Sequence, residues 1–334
     1  MAKHVFEIAV SERAGQICER KRLSRPQFER FWITRAPCRV VMEACASAHI
    51  WARSLRARGF EVRLLPPHYV KPYRRRNKTD RADCDALLEA DRCNRIHPVA
   101  IKSEDQQALV ALHRVRAQWM QSRTARINAM RGLLGEFGVH AAAGSKRFLN
   151  ELHPLLERNQ ERVPERVRRT VAALWDEVRE LEGRIDTLET ELEAVSGEQP
   201  VIQSLLRIPG IGLLTASALF ATVADIHAFQ SGRLLACWLG LTPRENSSGG
   251  RRRLGRISKQ GDPYVRMLLV HGARAALNAA RRKHKAGKPL TQLQAWSLRR
   301  ARGVHPNKAV VGDRQQTRAH RLGRLGEARE IPQR

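Results

Sequence analysis

The sequence predicts an α/β layer at its amino end, followed by long coiled-coil helices and a helical region built around a helix-hairpin-helix turn. Three observations carry this expectation. Short apolar runs alternate with helix-compatible stretches before Pro66-Pro67, the pattern of an α/β layer with a largely parallel core. Two long helical stripes follow between Ser103 and Gly197, the second with a heptad seam. An apolar helix then breaks at Pro209-Gly210-Ile211-Gly212 and restarts at Leu213.

Taken in order, His4 to Val10 alternates apolar and polar residues as a half-buried strand does. A turn at Arg13 to Gln16 lets Ile17 onward pair back as a hairpin, and Ser24 to Phe31 is helix-compatible. Cys38 to Met42 is a short buried strand ending at Glu43. A helix runs from about Ala46 until Gly59 closes it, and Glu61 to Leu65 is another strand. Ser103, with Gln106 three residues on, opens a helix by a capping box and runs to about Gly135. Its arginines (Arg114, Arg116, Arg123, Arg126 and Arg131) suit a solvated face, and equally permit contact with a phosphate backbone. After a small-residue linker at Ala141 to Lys146, a second long helix carries Leu174, Val178, Leu181, Ile185, Leu188, Leu192 and Val195. Alternating steps of four and three make a narrow seam that needs a coiled-coil partner. Either the chain's own earlier helix or a second subunit would serve, and self-association is the favoured of the two. The last helices are Met267 to Ala280 and Leu290 to Val311, with a basic piece from Arg281 to Lys288 between them. From Gly312 the apolar pattern is lost, and the tail reads as disordered.

Charge bounds the function. The 334 residues hold 61 Lys and Arg against 33 Asp and Glu, a formal charge of +28. Such self-repulsion is of no use to a fold, so the partner is a polyanion. No apolar run reaches the roughly twenty residues of a spanning helix and no signal peptide is evident, which favours nucleic acid over membrane. The six cysteines have neither CxxC nor paired Cys/His spacing. A disulfide framework or zinc site is therefore not expected, and a reducing cytoplasm is.

Two constellations point to phosphodiester chemistry. Glu43 stands at the carboxyl end of a buried strand, where open sheets place their sites. Downstream, the basic loop Arg74-Arg75-Arg76 leads to a helix with Asp80 and Asp83 in its first turn. A spacing of three sets these carboxylates about 5–6 Å apart at Cβ. The helix dipole alone accounts for such acids; with Glu43 added, the set suits Mg²⁺ and the activation of a hydroxyl at a phosphodiester. In the second constellation, Asn246-Ser247-Ser248-Gly249-Gly250 is followed by Arg251, Arg252, Arg253, Arg256 and Lys259. Hydroxyls on a Gly-flanked loop amid that much positive charge are what attack on phosphorus requires, although a polar loop with a solvated basic edge would look the same. At the turn, Gly210 and Gly212 would free backbone amides to meet a phosphate.

The blocks MEACASAHIWA, LLPPHYVKPY, NKTDRADCDA, QQALVALHRVR, LGEFG, IPGIGLLTA, CWLGLTPRENSSGG and LGRISKQGD, in this order, resemble the DEDD transposases of the IS110 insertion-sequence family, nearest its IS1111 subgroup. The resemblance spans roughly Ala2 to Val311. It implies a RuvC-like, RNase H-type domain over 1–150 with its first strand truncated, a coiled coil over 151–200, and a helical transposase domain carrying the serine loop over 201–290. A C-terminal helix and an out-of-frame tail would fill 291–334. It also implies cut-and-insert DNA recombination guided by an RNA from the element's own end, within a homo-oligomer. Ser248 would be the nucleophile, with Ser247 its rival, and Glu43, Asp80 and Asp83 would bind Mg²⁺. The family's first Asp would lie just before Met1, and a single-base slip before Gly312 would explain the tail, so this copy is expected to be impaired. A non-catalytic nucleic-acid-binding remnant and a junction-resolving nuclease are the alternatives.

Overall fold

The computed structural model describes residues 4–304 apart from 14, 46 and 76. These residues form a mixed α/β protein, mostly helical with small sheets. The chain divides into two compact units. The first comprises the described residues up to Glu104 with Val223–Ala228; the second comprises Asp105–Thr222 and the described residues from Phe229 on.

The first unit opens with an antiparallel hairpin of β1 (Val5–Val10) and β2 (Glu19–Ser24). Helix α1 (Arg25–Ile33) follows; its entry is fixed where the Ser24 amide donates to Gln27 Oε1 at 2.9 Å. Then come β3 (Arg39–Glu43), α2 (Ala48–Ala57), β4 (Glu61–Leu65), the short α3 (Pro67–Val70) and α4 (Asp80–Asp91). Strands β3 and β4 are parallel, with Glu43 in register with Leu65. Among the described residues the two strand pairs are not hydrogen-bonded to each other, so the expected parallel core is limited to β3 and β4. A shared core still joins them: Phe6 stacks on Phe28 at 4.2 Å, Trp51 meets both edge-on, and Val40, Met42, Val62 and Leu64 are buried with them.

The second unit is dominated by α5 (Glu104–Glu136) and α7 (Glu165–Gly197), with α6 (Ser145–Arg158) between them. Ile127, Met130 and Leu134 of α5 share a core with Phe148 and Leu152 of α6 and with Val171 and Val178 of α7. Three ion pairs set the register: Arg116 with Glu189, Arg123 with Glu182, and Arg126 with Glu177. As numbers rise along α5 they fall along α7, so the two helices run antiparallel. The heptad seam is thus met by the chain's own α5, the less favoured of the two partners the sequence allows. Arg116, Arg123 and Arg126, expected on a solvated face, instead brace this pair, Arg131 donates to the carbonyls of Ala142 and Gly144, and Arg114 is exposed. Gln106 is buried, and its side-chain amide donates to the Phe220 carbonyl at 3.2 Å.

Helices α8 (Pro200–Leu206) and α9 (Leu213–Val223) flank the Pro209–Gly212 turn. They are followed by α10 (Gly232–Trp238), the hairpin β5 (Pro243–Glu245) and β6 (Leu254–Ile257), then α11 (Pro263–Lys285) and α12 (Gln292–Ala301). No helix among the described residues is long and apolar enough to cross a membrane. The expectations about the first residues before His4 and the tail after Val304 lie outside the described residues.

Candidate functional site

In the first unit, the edge formed by the carboxyl ends of β3 and β4 carries Glu43, half-buried beside Leu65. Helix α4 begins at Thr79, whose hydroxyl accepts from the Ala82 amide at 3.1 Å, and this cap presents Asp80 and Asp83 in the first turn. Asp80 is exposed; Asp83 is half-buried and held by Arg74, Nη1 to Oδ1 at 3.2 Å. Asp85 is bound by Arg20 at 2.5 Å. Between them Cys84 donates its thiol to the Glu7 carbonyl, and burial pushes its pKa up to about 12. Glu43 and Asp80 have no ion-pair partner among the described residues. Nor does any group of three or more His, Cys, Asp or Glu among those residues gather closely enough to hold a metal ion. Glu43, Asp80 and Asp83 therefore do not form a closed cluster in this arrangement, and Arg74 supplies the positive charge at Asp83. Arg75 is exposed, and Arg76 lies outside the described residues.

In the second unit, the serine loop is the tip of the β5–β6 hairpin, whose base is held backbone against backbone. A Cβ on Gly240 would meet the Gln260 carbonyl oxygen at 2.1 Å, and one on Gly261 would meet that of Trp238 at 2.0 Å. The Lys259 amide donates to the Gly240 carbonyl at 3.1 Å, while Arg266 Nη1 reaches the Leu239 and Gln260 carbonyls at 3.1 and 2.8 Å. Lys259 itself sits at φ 57°, a left-handed conformation rarely taken outside glycine. At the tip, the Arg251 amide donates to the Ser248 carbonyl at 3.0 Å across Gly249 and Gly250, both at positive φ. Positive φ at both central residues is what a type I′ hairpin turn demands.

The two serines are not equivalent. Ser247 Oγ donates to Glu245 Oε1 at 2.7 Å and accepts from the Arg253 amide at 3.1 Å, tying one strand to the other. The Ser248 side chain is exposed, and its hydroxyl has no partner among the described residues. Arg251, Arg253, Arg256 and Lys259 are exposed around it, as is Arg252, whose Nε lies 3.6 Å from Glu245.

The break at Gly210 has a packing role the sequence did not reveal. Gly210 (φ 83°) and Gly272 of α11 approach so closely that a Cβ on Gly272 would lie 1.8 Å from the Gly210 carbonyl oxygen. Gly210 is half-buried against α11, whereas Gly212 is exposed where α9 begins. A second unforeseen feature is a polar tie inside the helices. Buried His113 of α5 lies 3.0 Å from Ser217 Oγ of α9 and 3.2 Å from the Tyr264 hydroxyl of α11. Burial, then the nearby Arg116, lowers its pKa to about 4. Its spacing of four from Leu109 on the apolar stripe was the signal that it faces inward.

A family model described as "Transposase IS116/IS110/IS902 family" matches residues 202–287, and the DEDD model of IS110 transposases matches residues 1–138. A probable family 20 transposase of Pseudomonas aeruginosa is 42% identical over 287 residues, covering 86% of this chain and 85% of its own. The chain belongs to the IS110 family of insertion-sequence transposases. Two further relatives are the transposase of insertion sequence element IS1111A from Coxiella burnetii, 38% identical over 90% of this chain and 82% of its own, and that of IS1328 from Yersinia enterocolitica, 37% identical over 82% and 81%. DNA transposition and recombination are the activities of this family, and the DEDD match spans both Glu43 and the Asp80–Asp83 turn.

Proposed function

We propose that this transposase cuts and rejoins DNA through Ser248 as nucleophile and an acidic edge, Glu43, Asp80 and Asp83, that binds Mg²⁺. The observation that carries the reading is the contrast between the serines: Ser247 is spent on the hairpin, while Ser248 stands exposed on a clamped arginine-rich tip. In the proposed step, Ser248 Oγ gives up its proton and forms a bond to phosphorus. The sugar oxygen leaves and takes up a proton, so that a phosphoserine ester stores the energy of the broken linkage for rejoining. Arg251 and Arg253 neutralise charge as it builds on the phosphate oxygens.

The donors at the acidic edge suit Mg²⁺, being carboxylate oxygens only, and Arg74 already occupies Asp83 as a cation would. Glu43, Asp80 and Asp83 would hold the ion, which when bound supplies charge neutralisation at the scissile phosphate. Arg74 must then release Asp83, and its guanidinium becomes available to the DNA backbone. The RuvC-like reading of the first unit is supported by the parallel β3–β4 pair ending in Glu43, and the helix-hairpin-helix reading by α8, the Gly210 turn and α9. An element-encoded guide RNA and a homo-oligomer complete the proposal, resting on the family resemblance and the chain's positive charge.

A non-catalytic nucleic-acid-binding remnant is the second reading, favoured by the absence of a three-carboxylate cluster among the described residues. Incubation with element-end DNA and Mg²⁺, followed by denaturing electrophoresis, separates them. The proposal expects a covalent protein–DNA adduct that Ser248→Ala abolishes. Mg²⁺-independent binding with no adduct means a remnant, and cleavage that survives Ser248→Ala means a junction nuclease.

A further inference from the structure

Register makes Leu65 the neighbour of Glu43, and the chain leaves that strand end through Pro66 directly into α3. Val70 anchors this turn: it is buried in one cluster with Leu65 and with Ala86 of α4, the helix that bears Asp80 and Asp83. With Val70 turned inward, the residues before it face solvent. Tyr69 is 50% exposed, and its ring lies against that of His68, centroids 4.0 Å apart at 45°. A large aromatic residue is thus left half uncovered, four residues after the strand end that neighbours Glu43. No acid stands between Glu61 and Asp80. The segment that follows the ring is instead cationic, with Lys71, Arg75 and Lys78 all exposed.

We propose that Tyr69, backed by the His68 ring, is a stacking platform for an unpaired nucleobase at the acidic edge. Every base presents a π-face, and an aromatic ring flanked by cations is how single strands are held without sequence readout. The sugar–phosphate chain on either side of that base would lie along Lys71, Arg75 and Lys78. A base taken out of its stack next to Glu43 and Asp83 leaves the adjoining phosphate accessible, which is what strand exchange needs. The inference rests on the reading of this edge as a nucleic-acid surface, and it does not depend on Ser248 being the nucleophile.

The test uses the full chain and a DNA duplex with one bulged 2-aminopurine, an uninterrupted duplex of the same sequence, and RNA versions of both. Wild type should bind the bulged duplex more tightly and quench its fluorescence. Tyr69→Ala should weaken that binding by roughly 5- to 150-fold, the range for one lost base stack, and leave the uninterrupted duplex unchanged. Tyr69→Phe should retain the preference, with circular dichroism confirming that both variants are folded. A preference confined to DNA or to RNA identifies which strand supplies the base. Wild-type behaviour of Tyr69→Ala, or equal losses on bulged and uninterrupted duplexes, overturns the platform. Ser248→Ala should keep the preference, so failure of adduct formation is read independently of this result.

Discussion

The acidic edge of the first unit and the serine hairpin of the second present their reactive groups in opposite ways. At the hairpin, backbone does the positioning: glycines at the base admit contacts that no side chain would allow, and two more turn the tip. Ser248 therefore sits on a glycine-shaped support, with its hydroxyl unpartnered among the described residues. At the acidic edge, electrostatics does the positioning, and Arg74 and Arg20 neutralise Asp83 and Asp85. Like charges in one helical turn repel unless a cation intervenes. One region is held by shape, the other by ion pairs to its own arginines.

That contrast can be broken first at the hairpin. Ser248→Ala should abolish adduct formation while leaving DNA affinity within a few-fold, whereas Ser247→Ala should slow adduct formation roughly 10²-fold by loosening the tip. Equal loss in both would erase the distinction between a reacting and a tying serine. Single-turnover adduct assays measure it.

Next in size is the backbone contact behind the turn. Gly272→Ala drives a methyl group into the Gly210 carbonyl and should cost about 1–3 kcal/mol or more in urea unfolding, as overpacking does. An unchanged midpoint would mean that α11 and the turn can separate freely.

A smaller effect is expected from His113. Its folded pKa of about 4 lies below the unfolded value near 6.5. The unfolded chain therefore binds a proton first as pH falls. The stability contributed by the neutral ring is full above about 6.5 and is lost progressively down to about 4. His113→Gln should flatten this dependence, read as hydrogen exchange at α9 and α11. His49, whose pKa burial also lowers to about 4, has the same sign in the first unit. Smallest of all, Arg74→Ala should remove the counter-charge at Asp83 and lower the Mg²⁺ concentration needed for adduct formation by a few-fold; a higher requirement would contradict Arg74 as the occupant to be displaced.

Much of this was legible in the sequence because periodicity is a local property. The strands around Phe6, Val40 and Val62, and the helices bearing Leu109 and Val178, follow from alternation or stripes within single segments. The partner of the heptad seam was not legible: its spacing fixes a narrow apolar face but not whose helix covers it, and only the Arg116–Glu189 and Arg123–Glu182 pairs decide. The parallel core was expected to be broader than β3 and β4, since alternation of strand and helix does not say which strands hydrogen-bond. At the sites, residue types were legible and commitments were not. Ser247 and Ser248 are adjacent and identical; only the Glu245 carboxylate and the Arg253 amide tell them apart. Asp83 reads as one of two carboxylates sharing a helical face, yet it is bound by Arg74, and Asp85 by Arg20 far back in the chain.

The central claim is that the Ser248 oxygen takes on the phosphorus. Mass spectrometry of peptides recovered after trapping the full chain on element-end DNA tests it most directly. The account predicts a nucleotide phosphate on Ser248, absent from Ser247 and lost in Ser248→Ala. A phosphate found on Ser247, or strand joining with no modified serine, would contradict it.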